Sequence, residues 1–202
     1  MKRTGLKFGV CGLVLVFAGV GLAQQPVPGP ASVQGGASVG ADIGLAIGVA
    51  LTGDWVGVLE YRDYQSDGRV KLPTWLDVRG EGQGLRFHYV YDDGPTKVVQ
   101  ESELMTFDTV KATYTVLSKP GEAGTVYSIA GLEKLKSGRG TLVLSGAGTE
   151  NDRAVEVRTT LKIGQNSVEI LRETRLPGEE FKFRHVYTFT RAAVPAAAAV
   201  AH

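Results

Sequence analysis

Residues 53–64, Gly-Asp-Trp-Val-Gly-Val-Leu-Glu-Tyr-Arg-Asp-Tyr, alternate as a half-buried β-strand does. Trp55, Gly57, Leu59 and Tyr61 fall on one face, and Glu60, Arg62 and Tyr64 on the other. Trp55 stands at the start of the run, where it can plug one end of whatever the strand helps to build. From here to Arg191 the chain keeps one rhythm: a short run with β-branched and aromatic residues, then a turn. Turn signals fall at 65–69, 80–84, 92–95, 118–124, 137–140, 146–152, 164–167 and 176–179, with a weaker break at 107–109. These breaks imply about ten strands joined by tight hairpins, and no segment shows a helical period, so helix is expected to be minor.

The same alternation tells which way the strands face. Leu85, Phe87, Tyr89 and Tyr91 share a face, with Arg86, His88 and Asp92 opposite. Near the C-terminus Phe181, Phe183, His185, Tyr187, Phe189 and Arg191 lie together, opposite Lys182, Arg184, Thr188 and Thr190. One apolar and one charged face means a dry inside and a wet outside. A membrane barrel has the reverse pattern, with apolar residues toward lipid. A single open sheet of this many strands would leave two exposed edges, and closure removes them. The expected fold is therefore all-β, a closed up-and-down antiparallel barrel over 51–191. A β-sandwich satisfies the same alternation.

The flanks read differently. Lys2, Arg3 and Lys7 precede an apolar run from Phe8 to Leu22, and Gly21-Leu22-Ala23 supplies the small residues of a cleavage site. Residues 1–23 are expected to be a signal peptide, since about 15 apolar residues fall short of the roughly 20 that a spanning helix needs. The protein is then secreted or periplasmic and does not span a membrane once the signal is removed. Its removal takes three of the 22 basic residues and no acidic ones, leaving 19 against 21. It also takes the single cysteine, Cys11, and with it any disulfide or thiolate site. The near-neutral balance without a basic cluster argues against nucleic acid as a partner. Residues 24–50 are rich in Gly, Pro and Ala and read as a linker, ending from Ile43 in a short segment that covers the mouth or floor of the barrel. Residues 192–202 form an Ala-rich tail.

Gly53-Asp54-Trp55 at the start of the first strand resembles the Gly-x-Trp signature of lipocalins and the wider calycin group. In that group an arginine late in the barrel commonly packs across the tryptophan. Arg191, which shares its face with the aromatic residues, is the first choice for this part, and Arg184 the second. The resemblance covers the first and last strands. It implies a structural role for Gly53 and Trp55 and a cavity for a small, mostly apolar molecule. The fatty-acid-binding branch holds a carboxylate with an Arg-x-Tyr pair, but here Arg184 and Tyr187 are three apart, which places them on opposite faces of a regular strand.

Candidate chemistry centres on the inward face. His185, Tyr187, Tyr89, Tyr91, Tyr61 and Arg191 combine ring surface with polar tips, the usual make-up of a ligand pocket. The same aromatics could instead simply fill the barrel. His185 could serve as an axial haem ligand, though a lone inward histidine is more often a hydrogen-bonded core residue, and no cofactor is expected. An isomerase or hydrolase using His185 or a tyrosine as its acid–base group is the enzymatic alternative. Glu101 and Glu103 share a strand face about 7 Å apart, a spacing that glycosidases use, but a solvated stripe is the commoner meaning. Asp92-Asp93-Gly94-Pro95 reads as a turn, not a calcium loop. No nucleophile elbow surrounds a serine, so no catalytic residue and no metal ligand is assigned.

Overall fold

The alternation resolves into ten strands in a computed structural model that describes residues 37–63, 66, 68–119, 121 and 123–193. The expected signal peptide, the linker as far as 36, Tyr64 and the tail from 194 lie outside these residues. The strands are β1 (Gly53–Arg62), β2 (Arg69–Glu81), β3 (Gly84–Asp92), β4 (Val98–Asp108) and β5 (Thr113–Leu117). They continue as β6 (Thr125–Ala130), β7 (Gly140–Glu150), β8 (Arg153–Ile163), β9 (Ser167–Arg175) and β10 (Lys182–Arg191). Each pairs antiparallel with the next in sequence, and β10 returns to pair with β1, so the sheet closes on itself. Closure decides between barrel and sandwich.

The turns sit at the expected breaks for local reasons. Between β7 and β8, Asn151 and Asp152 both take positive φ, 49° and 59°, which is what a two-residue hairpin of the favoured hand requires. Inward residues follow strict alternation along β3 and β8, where Leu85, Phe87, Tyr89 and Tyr91, and Val155, Val157, Thr159, Leu161 and Ile163, are buried. With Leu142, Leu144, Val168 and Phe189 they fill the barrel with side chains from many strands.

Two features depart from expectation. The end of the supposed linker is a helix, α1 (Ala37–Leu51). Three interior glycines make it a poor helix by propensity, so tertiary packing holds it. Ile47, Ala50 and Leu51 are buried in the end of the barrel, Gly44 faces Thr109, and Gly48 faces Leu85. Opposite, the loop between β6 and β7 touches it so closely that a Cβ at Gly138 would stand 2.1 Å from the Ala46 carbonyl oxygen. The helix is the floor-covering segment.

The second departure is in β10. Its pairing with β9 slips between Phe183 and His185, leaving Arg184 as an extra residue. A β-bulge of this kind reverses the faces beyond it. Phe181 and Phe183 therefore leave the inward set to which plain alternation assigns them. Phe183 lies under the Arg69 guanidinium, 3.6 Å from its ring centre, and Phe181 under Arg158 and Arg175, all three arginines belonging to the outer wall. Arg184 turns instead to the inner side, onto Glu150 and Thr174. It thus shares a side with Tyr187, against the placement that a regular strand gives.

Candidate functional site

The two ends of the barrel are built for different tasks. At the floor, Trp55 is 1% exposed and donates its indole N–H to the Leu51 carbonyl at 2.9 Å. Arg191, directly opposite Trp55 in register, lays its guanidinium 4.2 Å over the indole ring. Its two terminal nitrogens donate to the carbonyls of Ala50 and Thr52, each at 2.9 Å. These are the carbonyls a helix leaves unsatisfied at its C-terminus, where a cation is also favoured by the helix dipole. Gly53 has φ of +138°, and a Cβ there would come within 2.3 Å of Arg191 Nη1. The Gly-x-Trp motif and the late arginine thus form one device that caps α1 and seals the floor. Arg191 is committed to that device and stands apart from the other candidate ligand residues.

At the opposite end four of those candidates meet. Tyr89 and Tyr187 have ring centres 5.2 Å apart, Tyr89 stacks on Tyr91 at 6.0 Å, and His185 meets Tyr187 edge-on at 5.3 Å. The hydroxyls of Tyr91 and Tyr187 are hydrogen-bonded at 2.9 Å. Tyr61 pairs with His185 in register and lies at the rim of the group. Leu59, Leu72, Val99, His185 and Tyr187 face inward yet keep part of their surface exposed, so solvent enters from this end. The mouth is open where the floor is sealed.

Sequence reasoning missed three members of this site. Glu101 and Glu103 stand in register with the buried Tyr89 and Phe87, so both lie on the inner side of the wall, Glu103 half-buried and Glu101 exposed to solvent at the mouth. Tyr91 donates to Glu101 at 3.1 Å, and Ser118 donates to Glu103 at 3.2 Å. Arg172, between Ile170 and Thr174 on the inner face of β9, pairs in register with His185. The alternation of β9 carried the signal, since Arg172 falls in the series Val168, Ile170, Thr174 and not with Glu169 and Glu173.

The protonation of His185, Glu103 and the tyrosines of the group follows from their burial. Burial, with Arg172 adding to it, pushes His185 from 6.5 down to about 3, so the ring is neutral at ordinary pH. It can donate or accept a hydrogen bond there but is no general acid. Burial also pushes Glu103 up, with Glu101 adding and with the Ser118 hydrogen bond and Arg172 opposing. Tyr91 and Tyr187 are raised beyond any ordinary pH, chiefly by burial.

Two hollows open to solvent lie elsewhere. One of about 160 Å³ sits at the rim beside Glu150, Thr174 and Arg184. The other, about 170 Å³, is on the outer wall beside Trp75, Val56 and His88. Among the described residues no group of three or more His, Cys, Asp or Glu side chains could hold a metal ion. Comparison with protein-family models and with curated proteins finds no match for this chain. The closed ten-strand barrel is consistent with a calycin-like fold.

Proposed function

We propose that this chain is an exported binding barrel that takes a small amphipathic molecule through its open mouth, in the cell envelope or outside the cell. One observation carries the reading. Two glutamates, an arginine, a histidine and two bonded tyrosine hydroxyls are gathered on the inner side of one end, all but Glu101 at least partly buried, while the other end is filled with apolar side chains. Enclosing charged groups costs stability, and apolar residues of similar size would hold a merely structural barrel together better. Polar groups that work against the fold are expected where the fold serves a ligand.

A filled barrel without a ligand is the rival, and the ring contacts from Phe189 through Tyr187 to Tyr89 favour it. Those rings occupy the middle of the barrel and set the depth of the site. The ligand then rests above them, its apolar part against Leu59, Leu72 and Val99 and its polar part among the charged groups. With the stacked rings from Phe189 to Tyr89 taking up the middle of the barrel, only its upper end is left for a guest, so the ligand is small.

Native mass spectrometry of the purified protein, followed by titration with anilinonaphthalene sulfonate, tests this. A retained organic molecule, or probe binding lost in Tyr187→Trp, supports the reading. A ligand-free protein that leaves the probe unbound removes its basis.

A further inference from the structure

The mouth holds opposite charges that do not meet. Glu101 and Glu103 lie on β4 and Arg172 on β9. Around the closed sheet these strands are five places apart in either direction, so the two walls face each other across the lumen. Among the described residues no ion pair within 4.0 Å joins Arg172 to either glutamate. Elsewhere pairing is the habit of this barrel. Glu60 pairs with Arg69, Glu81 with Arg86, Glu156 with Arg175, Glu169 with Lys162 and Glu173 with Arg158 on the outer wall. At the rim Glu150 holds Arg184. Among the described residues Glu101 and Glu103 accept hydrogen bonds only from hydroxyls, those of Tyr91 and Ser118.

Opposite charges at a partly shielded mouth attract more strongly than in bulk water, and a flexible arginine closes on a carboxylate when the walls permit it. Here the walls hold them apart, and a bipolar guest can satisfy both. Resting on the binding function proposed above, we infer that the ligand is a small zwitterion, its ammonium toward Glu101 and Glu103 and its anionic group toward Arg172. Charge-assisted hydrogen bonds form at both ends. The ring faces of Tyr91 and Tyr187 add attraction for the cationic end. A ligand with one charge engages one wall and leaves the other unpaired, which is how the site discriminates.

Isothermal titration of the full chain with five probes of related chain length tests this: 2-aminooctanoate, 8-aminooctanoate, octylamine, octanoate and octanol. At least one of the two zwitterions is expected to bind about tenfold or more tighter than every other probe. Arg172→Gln should reduce the better zwitterion to the level of octylamine, and Glu101→Gln with Glu103→Gln to the level of octanoate. Octanol or either singly charged probe binding as tightly as both zwitterions overturns the charge assignment and leaves the binding function standing. Failure of all five to bind overturns both.

Discussion

The Arg191 guanidinium lies 4.2 Å over the Trp55 ring and holds with its terminal nitrogens the carbonyls of Ala50, in the last turn of α1, and of Thr52 just beyond it. The most recognisable motif of the sequence thus secures the sealed floor of the barrel, at the far end from the open mouth.

Arg191→Ala is expected to cost about 2–4 kcal/mol, from two charge-assisted hydrogen bonds and the cation–π contact. Arg191→Lys should recover only part of this, since an ammonium cannot fork to two carbonyls over a ring. Gly53→Ala strains a backbone at φ +138° and displaces the same guanidinium. Its cost should therefore be less than additive with that of Arg191→Ala in a double-mutant cycle read by urea denaturation. Full additivity would separate Gly53 from the device.

The two tryptophans report on different places. Trp55 is 1% exposed and Trp75, on the outer wall, 48%. In Trp75→Phe the remaining fluorescence should be blue-shifted and nearly insensitive to acrylamide, whereas Trp55→Phe should leave an emission that acrylamide quenches readily. Strong quenching of Trp75→Phe would mean that the floor is not sealed.

His185 should make the protein acid-sensitive. Its pKa is lowered on folding from 6.5 to about 3, so between these values the unfolded chain binds a proton that the folded chain refuses. The stability it contributes is complete above pH 6.5 and falls away as the pH drops toward 3. Urea midpoints of wild type and His185→Gln should therefore diverge on acidification, the wild type losing more. Parallel curves would place His185 in open solvent.

Glu103 acts in the opposite sense. Its pKa is raised on folding, so its contribution is present at low pH and is lost as the pH rises through the folded value. Glu103→Gln should be more stable than wild type at pH 8, with the difference narrowing toward pH 4. A destabilised variant at pH 8 would show that the carboxylate is held for structure and not at a cost to it.

The barrel was legible because its signals are local. Turn residues such as Asn151-Asp152 and the alternation of Leu85 to Tyr91 depend on a few neighbours. The capping of Trp55 by Arg191 was legible through the motif and a shared face. What escaped depends on distant contacts. Helix α1 has little propensity of its own and exists because Ile47, Ala50 and Leu51 find the barrel end. The bulge at Arg184 reverses Phe181 and Phe183, and nothing in Phe-Lys-Phe-Arg-His marks the slip. Glu101 and Glu103 looked like an outer stripe since carboxylates are rarely turned inward, and only their register with Phe87 and Tyr89 places them.

That the mouth is a binding site can be tested residue by residue. Isotope-labelled protein titrated with the tighter-binding of the two aminooctanoates and followed by NMR should show saturable shifts in Tyr61, Tyr91, Glu101, Arg172 and His185, with Trp55 and Arg191 unmoved. Shifts confined to the outer wall around Trp75, or none at all up to millimolar probe, would contradict it.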